Sequence, residues 1–154
     1  ATRSSLTNFR LKLYWEEGYD WQEEDFERKW CMECRNGDCN SGDKLYIYEC
    51  SERSQSFDFV VVNNDEVLIR LSGTGLCLQR NNKDIFIKTC NAGNSKHKWF
   101  AKVGAFDQNR FEISQKNFSS FCITQRHHPK AGEEVEIESC ETARNGLTSF
   151  WNRD

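Results

Sequence analysis

This sequence has little proline, no excess of positive charge and no long apolar run. Its one proline, Pro129, lies in the turn-like stretch 127–132, and no apolar run reaches the roughly 18 residues that a membrane-spanning helix needs. The net charge of −3 excludes the basic footprint of a nucleic-acid-binding protein and a long-range attraction to anionic membranes. Residues 1–5 are polar, so we expect a mature chain from which any signal peptide has been removed.

Catalytic fingerprints are also absent. The sequence contains no Gly-x-Ser-x-Gly, His-Glu-x-x-His, phosphate-loop or dinucleotide-binding pattern. Three glutamates, Glu134, Glu136 and Glu138, alternate with apolar residues and are interpreted as the solvated face of a strand. His127 and His128 have no companion ligand at a recognisable spacing. We therefore expect a non-catalytic protein without a metal site or a cofactor.

Cysteine, by contrast, is abundant. The chain has eight cysteines, and an even number in a small domain indicates disulfides formed in an oxidising compartment. Asn117-Phe118-Ser119 is a glycosylation sequon, so Asn117 is a predicted glycosylation site. Together these features predict a secreted, extracellular glycoprotein.

The positions of the cysteines indicate an internal repeat. Cys31, Cys77 and Cys122 follow one another at intervals of 46 and 45 residues, and each lies between two large apolar residues. In a strand the two flanking residues face one side and the cysteine faces the other. The pattern predicts three equivalent strands, one in each repeat.

A second set of cysteines repeats in the same way. Apolar residues stand five and three places before Cys50, Cys90 and Cys140, an alternation typical of a strand with one buried face. Further alternating or aromatic segments flank these strands, so each repeat is interpreted as four short strands. A threefold all-β repeat predicts a closed β-trefoil, since a propeller usually needs more blades. We expect one domain over residues 1–154, with repeats of about 6–62, 63–106 and 107–154.

The threefold equivalence also predicts the disulfides. Within each repeat a cysteine of the first set pairs with one of the second, giving Cys31–Cys50, Cys77–Cys90 and Cys122–Cys140. The remaining pair, Cys34–Cys39, would close the small loop 35–38. Many other connectivities are open to eight cysteines. The segment 31–34 also fits a Cys-x-x-Cys metal pattern, although it lacks the second ligand pair that zinc requires.

The sequence resembles the ricin-type β-trefoil lectin family along almost its whole length. In that family each repeat carries a pair of cysteines followed by a Gln-x-Trp motif. The degenerate copies here are Gln55-Ser56-Phe57, His97-Lys98-Trp99 and Ser149-Phe150-Trp151. We interpret the aromatic member of each copy as part of the shared core, because such a ring buries a large apolar area.

The resemblance also implies where sugar would bind. Sugar-binding members use an acid two places after the first cysteine, a ring near the second cysteine and an amide near the Gln-x-Trp motif. The carboxylate accepts hydrogen bonds from hydroxyls, and the ring stacks on the apolar face of the sugar. In the first repeat these positions are Glu33, Tyr48 and Gln55. The other repeats offer Gln79, Lys88 and His97, then Thr124, Glu138 and Ser149. Only the first repeat keeps an acid, a ring and an amide.

An insertion at 16–27 lies outside the repeat plan. It mixes acidic residues with the aromatic side chains of Tyr19, Trp21 and Phe26. Long loops in compact domains often carry function, and aromatic residues suit sugar stacking or anchoring of a protein partner. Trp21 is therefore a further candidate for carbohydrate binding, and the alternative is that the insertion folds back over the barrel.

These observations predict a lectin-like carbohydrate-binding module that is extracellular and non-catalytic. Its expected ligand is a glycan or glycoprotein, with no nucleic acid and no membrane insertion. The alternative is a structural or protein-interaction β-trefoil whose sugar sites are degenerate and whose contact with an extracellular assembly is the 16–27 loop. A protease inhibitor on the same fold is a third class, without a reactive loop that can be identified from the sequence.

Overall fold

The computed structural model describes residues 5–13, 30–52, 54–63, 66–100, 111–115, 118–125, 131–145 and 151–154. The first predicted repeat contains β1 (Leu6–Phe9), β2 (Leu11–Leu13), β3 (Trp30–Cys34), β4 (Leu45–Glu49) and β5 (Phe57–Val61). The second contains β6 (Glu66–Leu71), β7 (Leu76–Asn81), β8 (Asp84–Thr89) and β9 (Lys98–Phe100). The third contains β10 (Ser114–Gln115), β11 (Phe118–Gln125), β12 (Val135–Ser139), helix α1 (Cys140–Asn145) and β13 (Trp151–Arg153). Among these residues, no helix is long and apolar enough to cross a membrane.

Three antiparallel hairpins, β3–β4, β7–β8 and β11–β12, have the same register. Their pairs include Cys31 opposite Tyr48, Cys77 opposite Lys88 and Cys122 opposite Glu138. In every hairpin the first cysteine therefore faces the residue two places before the second cysteine. This identity of register shows that the repeat seen in the sequence is a repeat of structure.

The three hairpins are joined to one another in a ring by backbone hydrogen bonds. Each bond runs from the amide of a core isoleucine to a carbonyl in the turn of the neighbouring hairpin. The bonds are Ile87 to Asp43 (2.9 Å), Ile137 to Lys83 (2.8 Å) and Ile47 to Glu133 (2.9 Å). The turns also share a left-handed residue, Gly42, Asn82 or Gly132, with φ of 97°, 55° and 85°. Glycine and asparagine adopt this conformation at low cost.

The remaining strands form the barrel under the hairpins. β5 pairs with β1 and β6, β6 also pairs with β9, and β13 pairs with β2. An antiparallel β-bridge between Phe111 and Trp151 joins the start and the end of the third repeat. The largest buried rings in the core are Trp99, Trp151, Phe57 and Phe59. The indole N–H groups of Trp99 and Trp151 donate to the carbonyls of Leu78 and Ile123, at 3.2 and 3.0 Å. The interpretation of these aromatic residues as core is confirmed.

All eight cysteines are paired, as Cys31–Cys50, Cys34–Cys39, Cys77–Cys90 and Cys122–Cys140. Three of these are the pairs that the threefold equivalence predicts, and Cys34–Cys39 is the pair predicted from the two remaining cysteines. Three of them join cysteines 19, 13 and 18 residues apart within a repeat. By lowering the conformational entropy of the unfolded chain, a disulfide over a loop of that length stabilises the folded state by about 3 kcal/mol. The Cys34–Cys39 bridge closes a much shorter loop and has no counterpart in the other two repeats.

A buried carboxylate ties the first repeat to the second. Asp58 on β5 accepts hydrogen bonds from the Asn8 amide (3.0 Å), the Ser72 hydroxyl (2.6 Å) and the Arg70 guanidinium (3.0 Å). Burial alone would raise the pKa of Asp58, but the hydrogen bonds from Ser72, Asn8 and Arg70 outweigh it and hold the pKa below its usual value. The ionised carboxylate is therefore part of the folded structure.

Two local features differ from the predicted pattern of four strands per repeat. The first strand is divided into β1 and β2 at Arg10. Within β1, Asn8 has φ of 57° and its amide donates to Asp58. Helix α1 was not expected, because six residues are too few to show an apolar periodicity. Its first turn is capped by the Ser139 hydroxyl, which accepts from the Thr142 amide at 3.1 Å. Arg144 anchors it through a double hydrogen bond to Glu112.

Candidate functional site

A pocket of about 400 Å³ lies on the outer face of the β3–β4 hairpin. Met32 and Ile47 point into the core, so the alternation of the strands turns their neighbours Glu33 and Tyr48 outward. Glu33 and Tyr48 both line this pocket, together with residues 34, 36, 37, 49 and 51. We call it the Glu33–Tyr48 pocket. Two of the three first-repeat residues that the resemblance implies for sugar binding therefore share one cavity.

Glu33 supplies a carboxylate deep in the pocket. The side chain is mostly buried, with the residue 8% exposed, and the Ser54 hydroxyl donates to its Oε2 at 2.9 Å. Burial raises the pKa of Glu33, and the Ser54 hydrogen bond and the positive charge of Arg10 offset this only in part. Such a carboxyl group is fixed in position before a ligand arrives, which favours directional hydrogen bonding.

Tyr48 supplies an aromatic ring on the same face. It is half-buried on β4, and its ring centroid lies 6.5 Å from that of Tyr46, which is two residues earlier on the strand. The two rings are tilted by 53° and do not stack face to face. A ring held at the wall of a pocket can cover the apolar face of a flat ligand.

The structure shows a contact of Gln55 with the disulfide loop, and its role in sugar binding stays a prediction. Its Oε1 accepts a hydrogen bond from the Cys34 amide at 2.8 Å, and its Nε2 lies 4.0 Å from the point where a Cβ on Gly37 would stand. Gln55 is not among the residues that line the pocket in the described part of the chain. It supports the wall of the pocket by holding the backbone of the disulfide loop.

Sequence reasoning identified the loop closed by Cys34–Cys39 but did not assign its residues Asn36 and Gly37 to the site. Residues 35–37 form one 3-10 turn, in which Asn36 and Gly37 have φ of 54° and 73°. This left-handed backbone places Asn36 at the rim of the Glu33–Tyr48 pocket. The signal available in the sequence is that the extra cysteine pair, which brackets an Asn-Gly turn, occurs in the first repeat alone.

The equivalent positions in the other repeats hold no acid beside a ring. In the second repeat the side chains of Gln79 and His97 are hydrogen-bonded to each other, at 2.8 Å between Oε1 of Gln79 and Nε2 of His97. His97 is buried, and burial lowers its pKa. In the third repeat Thr124 is buried, while Ser149 lies outside the described residues. The first repeat is thus the best candidate among the described positions.

Three predictions fall on parts of the chain that the structure does not describe. Trp21, the rest of the 16–27 insertion and Asn117 all lie outside the described residues. Their roles in sugar binding, partner binding and glycosylation stay predictions. Within the described ranges, no group of three or more histidine, cysteine or acidic side chains is arranged to hold a metal ion.

Comparisons with known proteins agree with the fold. No protein-family model and no curated protein sequence matches the chain. Among solved structures, the chain is similar to a designed 3-fold symmetric protein, ThreeFoil, with a TM-score of 0.70 over 94% of this chain and 96% of that chain. The sequence identity is 13%, so this likeness shows the fold alone.

The chain is therefore a β-trefoil, an all-β fold with disulfides inside its repeats. Four disulfides in 154 residues fit an oxidising, extracellular-type environment. The β-trefoil fold is compatible with a lectin and with a protein-interaction module, and the choice between them depends on the site.

Proposed function

We propose that this β-trefoil is a secreted, lectin-like module that binds carbohydrate without catalysing a reaction. The observation that carries the proposal is the shared pocket of Glu33 and Tyr48 on the outer face of the first hairpin. An acid and an aromatic ring in one cavity are the two groups that sugar recognition needs most. The ligand is a glycan, either free or attached to a glycoprotein.

The chemistry of the pocket supports this proposal. The fixed carboxylate of Glu33 accepts hydrogen bonds from sugar hydroxyls, and Tyr48 covers the apolar C–H face of the ring. Asn36 and Ser51 line the same pocket and add polar groups that orient a ligand. A pocket of about 400 Å³ lies within the usual range of roughly 300–1,000 Å³ for small-ligand sites.

A protein-interaction module is the second candidate function. It is favoured by the second repeat, where two of the residues that the resemblance implies for sugar binding, Gln79 and His97, are hydrogen-bonded to each other. In this case the sugar sites have degenerated, and the contact with a partner in an extracellular assembly is the aromatic and acidic 16–27 loop.

A glycan-array screen of the oxidised protein tests the proposal. We expect specific binding that Tyr48→Ala and Glu33→Gln each reduce at least tenfold, which corresponds to about 1.4 kcal/mol. Phe121→Ala is the matched control, because Phe121 is a partly exposed aromatic residue on another hairpin. Recovery of the bound glycan without cleavage is expected of a non-catalytic module.

The screen also separates the alternatives. Binding that is lost with Trp21→Ala and kept with Tyr48→Ala would move the sugar site to the insertion. No binding to any glycan on a broad array would refute the lectin proposal and favour the protein-interaction module.

A further inference from the structure

A second pocket adjoins the Glu33–Tyr48 pocket on the same face. Its volume is about 360 Å³, and it is lined by Arg35, Asp38, Asn40, Asp43, Lys44 and Tyr46. We call it the Tyr46 pocket. Both pockets are also lined by Asn36, which stands between them. Each volume alone is near the lower end of the roughly 300–1,000 Å³ range of ligand sites, so the two together offer room for a longer ligand.

The two tyrosine rings make the pockets one continuous surface. Tyr46 and Tyr48 both lie on the outer face of β4, on either side of the buried Ile47, with ring centroids 6.5 Å apart. This spacing is comparable with the distance between linked pyranose rings. The Arg35 guanidinium lies over the Tyr46 ring, 5.2 Å from its centroid, so a planar group of hydrogen-bond donors covers one face of the second ring.

The walls of the Tyr46 pocket are fixed before any ligand binds. The Cys34–Cys39 disulfide closes the loop that carries Arg35, and the Asn40 amide donates to the Asp43 carboxylate at 3.0 Å. On the opposite side, Lys44 lies 3.5 Å from Asp84 of the second repeat and 3.4 Å from Glu134 of the third. All three repeats therefore contribute to holding this pocket in shape.

The charges of the combined surface select the class of ligand. Its carboxylates are Glu33, Asp38, Asp43 and Glu49, and its cations are Arg35 and Lys44. The Lys44 charge is already compensated by two carboxylates from the neighbouring repeats. The excess of negative charge disfavours sialylated, sulfated or phosphorylated ligands. The carboxylates, amides and guanidinium suit the alternating donors and acceptors of uncharged sugar hydroxyls.

We propose that the two pockets form one groove that binds a neutral oligosaccharide of at least two sugar units. One unit occupies the Glu33–Tyr48 pocket, and the next lies against Tyr46 and Arg35 in the Tyr46 pocket. This inference rests on the proposed function, because it assigns a second unit to the ligand of the first pocket. It makes the disulfide loop of the first repeat a determinant of ligand length.

Calorimetric titration with sugars of one, two and three units tests the groove. The probes are the neutral galactose, N-acetylglucosamine, mannose and xylose series, together with lactose and its anionic counterpart 3′-sialyllactose. We expect affinity to rise about tenfold or more from one unit to two. Tyr46→Ala and Arg35→Ala should each remove that gain and leave binding of the single sugar unchanged. Tyr48→Ala should weaken binding of sugars of every length. Phe121→Ala should change neither the binding of the single sugar nor the gain from the second unit.

Arg35 is exposed, so Arg35→Ala tests the groove even where Tyr46→Ala alters the fold, and thermal unfolding checks both variants. Equal affinity for one and three units, or a gain with length that survives both substitutions, would overturn the groove while leaving the Glu33–Tyr48 pocket intact. Tighter binding of 3′-sialyllactose than of lactose would overturn its preference for neutral ligands. Failure of every probe to bind would overturn the groove and the lectin proposal together.

Discussion

Replacing Gln55 with methionine should destabilise the protein, because Gln55 holds the disulfide loop. Its Oε1 is the acceptor for the Cys34 amide at 2.8 Å, and Cys34 is fully buried. Methionine has a similar length but only a weak acceptor. A buried amide left without its partner costs about 1–3 kcal/mol. For a chain of 154 residues that cost lowers the melting temperature by about 2–12 °C.

The matched control is Gln55→Glu, which keeps an acceptor oxygen at the same distance along the side chain. Urea unfolding followed by tryptophan fluorescence measures the free energy of unfolding of both variants. We expect Gln55→Met to lose stability and Gln55→Glu to stay close to the wild type. A fully stable Gln55→Met variant that binds glycan poorly would refute the structural role and make Gln55 a ligand contact, as the family resemblance implies.

Three further predictions concern charged groups. Lys44→Met removes the cation that lies between Asp84 and Glu134. Because all three side chains are about one-third exposed, we expect the free energy of unfolding to fall by less than about 1 kcal/mol. Thermal unfolding should show that this loss shrinks in high salt. Asp58→Asn should cost about 1.5–3 kcal/mol at neutral pH. Since the folded pKa of Asp58 is lowered, the difference measured by urea unfolding should begin to shrink as the pH falls below about 3.9, and it should vanish only below the folded pKa. The folded pKa of His97 is also lowered, so wild-type stability should fall as pH drops below about 6.5, and His97→Gln should flatten that dependence. Equal pH profiles of wild type and His97→Gln, or a salt-independent loss in Lys44→Met, would contradict these assignments.

Much of the fold could be predicted because the same pattern of strands and cysteines occurs in each of the three repeats. The register that places Cys31 opposite Tyr48 recurs in all three hairpins, and it follows from strands that alternate between a core face and an outer face. The family resemblance implied Glu33 and Tyr48 as site residues, and the same alternation turns both side chains outward. The disulfides followed from equivalence between repeats, which removes most of the possible connectivities.

The rest of the site depends on contacts that no local pattern encodes. Gln55 meets the Cys34 amide across 21 residues of chain, and the Tyr46 pocket needs the left-handed backbone at Asn36. Lys44 is held by carboxylates from two other repeats. Such long-range partners follow from the closed tertiary structure, so the sequence could suggest the loop as a special feature without showing what it forms.

The most direct test of the carbohydrate site is a map of amide chemical shifts in the ¹⁵N-labelled protein during titration with the neutral sugar series. The account predicts that the amides of Glu33, Asn36 and Tyr48 shift on binding, while those of the equivalent second-repeat residues Gln79 and Lys88 stay unchanged. Shifts confined to the second or third repeat or to the 16–27 insertion, or no shift with any sugar, would contradict it.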